Sequence, residues 1–344
     1  MSGHRPATSV LRPPAPAAGV SGSRDAAGPP GLVSAVVVLW SSRPHLPTLW
    51  DDLARQTYRP FELIVVDNAS PDDSVEFVRS HELPFPVRLV QRPTNDGVTP
   101  AWNRALEEAR GPWLLLLSPD CRFPSDLTER LVERATRAAT EGASPLRVGG
   151  VSPSFRSHGG PGARLELMPH IVPRARQTPA TGRGTRVSPD EVFTYHGACA
   201  LISTPLLRLL GGWDPMVNFG GDEVDLGLRA HLLDYRFFVV PELVADHPFE
   251  PRGKTGPARR LLLRSTWFFL LKNAGITIGY RALTGEAINY LFWLRYANDP
   301  RELSATAAWF VAVTPMLRER RRELRKLFVT APRGAPPNPA RTPP

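Results

Sequence analysis

The chain has 344 residues, 42% of them hydrophobic, enough to bury a sizeable core in one large domain or two ordinary ones. Its formal charge of +9 collects at the ends, with +2 on residues 1–30 and +6 on residues 318–341, so the body stays near +1; a nucleic-acid partner is not expected, because such proteins carry their basic residues on the folded domain. Two cysteines are too few for a disulfide framework, no apolar run nears the roughly 18 residues of a membrane span, and the first residues lack the apolar segment of a secretory signal, so a cytoplasmic setting is expected.

Residues 1–30 hold six prolines among many Ala, Gly and Ser, and residues 331–344 hold another six. Such segments bury too little apolar surface to offset their ordering entropy, so both tails are expected to be disordered. The body between them shows no internal repeat.

Within it the periodicity alternates. SAVVVLW (34–40) is a short β-branched run read as a buried parallel strand, LPTLWDDLARQ (46–56) has apolar residues at helical spacing, and FELIVVD (61–67) is a second buried strand. A helix is expected from near Pro71, capped by Ser70, with Asp72 and Asp73 suiting its positive end. VRLVQ (87–91) reads as a strand, TPAWNRALEEAR (99–110) as a helix and WLLLLS (113–118) as a fourth strand, followed by a helix capped by Ser125. The β-α-β-α-β-α-β series predicts a doubly wound, mostly parallel sheet flanked by helices, with ligands beyond the carboxyl ends of the strands. Asp67 and Asp120 are placed at that edge, at the ends of strands taken as neighbours, where two carboxylates call for a ligand or a counter-charge between them. For Asp67 a simple strand-end turn is the alternative.

Farther on, GDEVDLGLRAHLLDY (221–235) starts an amphipathic helix with Asp222, Glu223 and Asp225 in its first turn, more acids than the helix dipole alone requires. FFVV (237–240) reads as a strand leading to His247. Residues 156–190 are rich in Gly, Pro and Arg without periodicity, the pattern of a long functional loop. Beyond 255, apolar and aromatic stretches with basic flanks suggest helices that either pack on the domain or lie on a membrane surface, and RERRRELRK (318–326) favours anionic lipid.

The blocks VSAVVVLW, VVDNASPDDS, NDGVTPAWNRAL, LLLLSPDCRFP, GACALISTPLLRLLGGWDP and GDEVDLGLRAHLLDYRFFVVPELVADH occur in an order and spacing that resemble the family 2 glycosyltransferases of the GT-A fold, over roughly residues 33–247, and most of all the rhamnosyltransferase-like branch. The resemblance implies a GT-A catalytic domain over 31–255, with a nucleotide-sugar half (31–125) and an acceptor half (145–255), a helical region over 256–329, and tails at 1–30 and 330–344. It implies an inverting enzyme that moves a hexosyl or deoxyhexosyl group from a nucleotide-diphosphate sugar to a glycan or lipid-linked acceptor, with Mn2+ or Mg2+, in cell-surface polysaccharide or glycolipid synthesis. A location on the inner face of the plasma membrane would suit such an acceptor.

By position, the resemblance implies donor binding by Asp67, Asn68, Ser70, Asn95, Gly97, Asn103, Ser118 and Arg229; Asn95 and Asn103 could instead cap their helix, and Arg229 could orient the acids. Asp120 and His247 would hold the metal, although Ser118 stands where the family's Asp-x-Asp or Asn-Pro-Asp motif has its first residue. Glu223 would be the general base with Asp222 beside it, in the reverse of the family's Glu-Asp order, so that the role could instead pass to Asp222; Asp225 and His196 would lie on the acceptor side, with an ordinary structural role the alternative for His196. Two alternatives are a catalytically silent nucleotide-sugar or glycan-binding protein, and a nucleotidyltransferase, for which LWSSRPHLP (39–47) lacks the expected Gly-rich phosphate loop.

Overall fold

The computed structural model describes residues 28–141, 146–156, 190–218, 220–247, 256–273 and 300–330. Nearly all of both expected disordered tails and of the 156–190 loop lies outside these residues.

The first half alternates strand and helix as the periodicity requires: β1 (Val33–Leu39), α1 (Leu46–Ala54), β2 (Phe61–Asp67), α2 (Ser74–Ser80), β3 (Val87–Gln91), α3 (Val98–Glu108), β4 (Trp113–Leu117) and α4 (Leu127–Thr140). β2 and β4 are buried along their whole length, which is why they read as unbroken apolar runs and not as alternating ones. α1 buries Leu46, Leu49, Trp50 and Leu53, a single stripe at helical spacing. Two expected starts differ. α2 begins at Ser74, not near Pro71, because Asp72 accepts the Ser74 amide at 3.2 Å and its hydroxyl at 2.6 Å and so closes a turn there, while the Ser70 amide turns back to Asp67. α4 has Asp126 at its N-cap position, and Ser125 instead gives its carbonyl to the Thr57 amide at 3.0 Å.

The second half adds β5 (Arg147–Arg156), β6 (Glu191–Val192), β7 (Cys199–Ser203), α5 (Thr204–Leu209), α6 (Asp222–Leu232), β8 (Tyr235–Asp246), α7 (Gly256–Asn273) and α8 (Pro300–Thr330). The eight strands form one sheet in the order β3-β2-β1-β4-β7-β5-β8-β6. β1 to β4 are parallel, β7 runs antiparallel between β4 and β5, and β8 is parallel to β5. Six strands therefore end at one edge, and β7 begins there.

That order corrects one expectation: β2 and β4 are not neighbours, since β1 pairs with both. Asp67 and Asp120 thus sit about two strand spacings apart, roughly 9–10 Å, too far for direct repulsion to demand a ligand between them. The order does create a switch point between β1 and β4, where the chain reverses its direction across the sheet and a crevice opens at the carboxyl ends.

α7 and α8 are the expected helical extension, and they pack. Phe268, Phe269 and Leu270 of α7 and Val313 of α8 bury against Val217 and against Val224 and Leu228 of α6. No helix among the described residues is long and apolar enough to cross a membrane.

Candidate active site

At the end of β4 the Ser118 hydroxyl donates a very short hydrogen bond to Asp120 Oδ1, and His247 Nε2 stands 3.4 Å from the same oxygen. His247 reaches this point because β8 bends: opposite Pro153 and Ser154 its register jumps from Val240 to Val244, an irregularity of the kind that re-aims strand ends beside functional sites. Beyond the bend, Arg122 and Asp246 exchange two backbone hydrogen bonds of 2.8 Å, which fixes His247 next to Asp120. Burial by itself would raise the Asp120 carboxyl, but hydrogen bonds from His247 and Ser118 outweigh it and hold the group at about 2. Asp120 is ionised at any working pH.

His196 lies beside this pair, stacked on Phe155 at 3.8 Å, its ring centre 6.0 Å from that of His247. Burial, and then the positive charge His247 can carry, lower its pKa to about 4. It is neutral near pH 7, and since Nδ1 accepts the Ala198 amide at 3.1 Å, the ring proton belongs on Nε2.

The turn after His196 joins the two halves of the site. Its Ala198 carbonyl accepts the Ser118 amide at 2.7 Å, while the Gly197 amide donates to the Glu223 carboxylate. A Cβ at Gly197 would come within 2.7 Å of Glu223 Oε1, so a side chain there would have to displace the carboxyl. Glu223 stands in the first turn of α6, whose N-cap Gly221 has φ +91°, a left-handed conformation that turns the chain into the helix. Asp222, next to it, is buried, and its Oδ2 has no hydrogen-bond partner among the described residues. Burial and the charge of Glu223 push the Asp222 carboxyl well up, and burial raises Glu223 as well. Two adjoining buried carboxyls cannot both ionise readily. Asp222 is raised further, so a proton shared by the pair favours it over Glu223.

On the other flank, Asp67 is buried and accepts the Ser70 amide at 3.2 Å, the strand-end turn weighed above. The Ser70 hydroxyl is buried without a partner among the described residues. Asn68 donates to Asn95 Oδ1 at 2.9 Å and to the Gly97 carbonyl at 3.0 Å, and Arg92 donates to Asn68 Oδ1 at 2.5 Å. These side chains hold the loops after β2 and β3 together. Gly97 has φ +98° and the amide of Asn218 packed where a side chain would begin, so it serves the junction between the halves.

Three expected site residues are placed elsewhere. Asn103 exchanges two 2.8 Å hydrogen bonds with the Trp213 backbone, bracing α3 to the second half, and does not cap its helix. Arg229 binds Asp225 at 2.9 Å and the Leu210 and Gly212 carbonyls at 3.0 Å, contacts that suit its expected role of orienting the acids. Asp225 is buried under α7, with Oδ1 2.5 Å from Lys272 Nζ, and faces no open acceptor side. Two edge residues escaped sequence reasoning. Trp40, just past β1, is 57% exposed at the switch point, and Arg92 follows β3; an aromatic or a basic residue directly after a strand of this kind was the available signal.

For a cation, Asp120 and His247 are the donors that converge; among the described residues no group of three or more His, Cys, Asp and Glu side chains does. A carboxylate and an imidazole fit Mn2+ or Mg2+, ions that complete their shells with phosphate oxygens and water.

A mixed, mostly parallel sheet with acids gathered beyond its switch point is the architecture of the GT-A glycosyltransferases. Staphylococcus aureus TarS 1-349 shares the fold, with a TM-score of 0.51 at 16% identity over 87% of this chain and 88% of that one; its complex with UDP-GlcNAc gives the same TM-score over 87% and 90%. In sequence, 262 residues are 28% identical to an N-acetylglucosaminyl-diphospho-decaprenol L-rhamnosyltransferase of Mycobacterium tuberculosis, covering 70% of this chain and 84% of that one. A stretch of 76 residues is 40% identical to a PGL/p-HBAD biosynthesis glycosyltransferase of Mycobacterium bovis, 22% of this chain and 30% of that one. The model of the family described as glycosyl transferase family 2 matches residues 34–211. The chain belongs to that family. Glu223 and His247 lie past the matched stretch, so their roles rest on geometry.

Proposed function

We propose that the chain transfers a hexosyl or deoxyhexosyl group from a nucleotide-diphosphate sugar to an acceptor hydroxyl with inversion, in cell-surface polysaccharide or glycolipid synthesis. The observation that supports this is the 196–198 turn, which has an ionised carboxylate, Asp120, on one side and a second carboxyl, Glu223, raised by burial, on the other. Asp67 suits an imide N–H of the base, the exposed Trp40 offers a stacking face, and the loops tied by Asn68, Asn95 and Arg92 shape the donor crevice.

Asp120 and His247 would hold Mn2+ or Mg2+, which when bound neutralises charge on the departing diphosphate. The acceptor oxygen attacks the anomeric carbon, the bond to the diphosphate breaks with its electron pair, and the hydroxyl proton passes to Glu223. Asp222 keeps its own proton and Glu223 its accepting role. The rhamnosyltransferase relative supports a deoxyhexosyl donor and a lipid-linked acceptor, and the UDP-GlcNAc complex of TarS supports a nucleotide-sugar donor. The exposed Arg318, Arg322, Arg325 and Lys326 of α8 suit an anionic membrane surface near such an acceptor.

Thermal shift with UDP-, dTDP- and GDP-sugars, with and without Mn2+, tests the donor assignment. A ligand at 100 times its dissociation constant adds about 2.7 kcal/mol. One nucleotide series should raise the melting temperature, more so with Mn2+; no shift with any of them would contradict the proposal. Product formation then separates a transferase from a silent binder.

A further inference from the structure

Between α6 and the C-terminal helices lies a buried ionic cluster that no step above uses. Lys272 of α7 is 3% exposed and places Nζ 2.5 Å from Asp225 Oδ1 and 2.8 Å from Asp214 Oδ2. Asp225 is held from its other side by Arg229 at 2.9 Å, and Arg229 in turn grips the Gly212 carbonyl. Asp214 also accepts the Met216 amide at 3.1 Å, with Arg320 of α8 3.9 Å away. Burial would raise Asp214, but the Lys272 and Arg320 charges keep it low, so Asp214 is a charged partner for Lys272.

A buried ammonium is costly, and apolar residues of similar volume often stabilise as well as a buried ion pair does. Phe268, Phe269 and Leu270 show that this interface accepts apolar packing, so stability alone gives no reason for a lysine. Geometry does. Asp225 follows Glu223 by two positions, about 200° around the helix. Gripping Asp225 from both sides fixes the rotation of α6 about its own axis, and with it the direction of Glu223 toward the Gly197 turn.

We propose that Lys272 is a positioning residue for sugar transfer, through which the C-terminal helices set the orientation of the acid-bearing helix α6. This rests on the assignment of Glu223 as the base, and a small misplacement of a reacting group costs about 100-fold in rate.

Three variants, Lys272→Met, Asp225→Asn and their combination, are compared with the native chain by hydrogen exchange of the Asp225 to Arg229 amides, calorimetric titration with UDP and Mn2+, and steady-state transfer with the donor and acceptor the native chain turns over. Each single variant should exchange about tenfold faster across that turn and lose about 10–100-fold in kcat. Acceptor KM and the UDP titration should stay within about threefold, and the double variant should be no worse than either single one. Native exchange with native kcat would overturn the proposal. A lowered melting temperature with native kcat would overturn it too, since the lysine would then serve stability alone. Should Lys272→Met not fold, the charge-balanced double variant gives the same readings. Undiminished transfer by Glu223→Gln would sink the base assignment while leaving the exchange result to decide whether Lys272 orients α6.

Discussion

His247 meets Asp120 from the far side of the sheet, its Nε2 3.4 Å from Oδ1, where the bent end of β8 crosses to pair with Arg122. The carboxylate they share with Ser118 is the fixed negative charge of the site. Asp120→Asn removes that charge and keeps the shape, so transfer should fall by orders of magnitude while the melting temperature changes little. His247→Asn should raise the Mn2+ concentration needed for half-maximal rate. Native activity in Asp120→Asn would place any metal elsewhere.

Asn103 should behave as a brace. Asn103→Ala removes two hydrogen bonds to the Trp213 backbone, at a cost of about 1–3 kcal/mol. Urea unfolding should show that loss, while calorimetric titration with UDP and Mn2+ should remain close to native. Large loss of nucleotide affinity with native stability would restore it to the donor site.

His196 gives a pH signature with a definite sign. Its folded pKa of about 4 lies below the ordinary 6.5, so folding favours the neutral ring. The stabilisation is complete above pH 6.5 and fades as pH falls toward 4, by about 3–4 kcal/mol at most. The raised carboxyls of Asp222 and Glu223 act oppositely, losing stability as pH rises from the acid end. The difference between the native chain and His196→Gln isolates the ring: urea midpoints should diverge as pH rises from 4 to 7. Parallel curves would show that the ring titrates normally.

Much of the first half was legible because its strands announce themselves. FELIVVD is buried at every position, and only a strand covered on both faces tolerates that composition. β5 gave no such signal: RVGGVSPSFR mixes Gly, Ser and Pro, and it is a strand because β7 and β8 flank it. Likewise the insertion of β1 between β2 and β4 is decided by packing over the whole sheet, so no local pattern gives the spacing of Asp67 and Asp120. In the site, Asp120 and Glu223 could be found from where they stand along their elements. The pairing of Asp225 with Arg229, four positions apart on one helix, was legible too, but the Trp213 partner of Asn103 and the Lys272 partner of Asp225 were not, since they approach from segments that no local pattern connects to them.

The basic face of α8 bears on membrane association. Truncation after Leu317 would also remove Arg320 and the buried Leu324, so Gln at the exposed positions 318, 322, 325 and 326 is the cleaner change. Binding to vesicles containing anionic phosphatidylglycerol should weaken in this variant and in high salt, with the melting temperature nearly unchanged. Equal binding by both proteins, or none by the native chain, would remove the membrane from the account.

Inverting transfer requires a base on the acceptor side, away from Asp120, and Glu223 is the acid that meets the connecting turn. Its raised pKa means that transfer should increase with pH as the carboxyl loses its proton. The most direct test is the transfer rate of Glu223→Gln, set beside Asp222→Asn, with the donor that shifts the native melting temperature. Loss of about 10²–10⁴-fold for Glu223→Gln, with nucleotide binding retained and a milder loss for Asp222→Asn, is the predicted result. Undiminished transfer by Glu223→Gln would contradict the account, and the reverse ranking would move the base to Asp222.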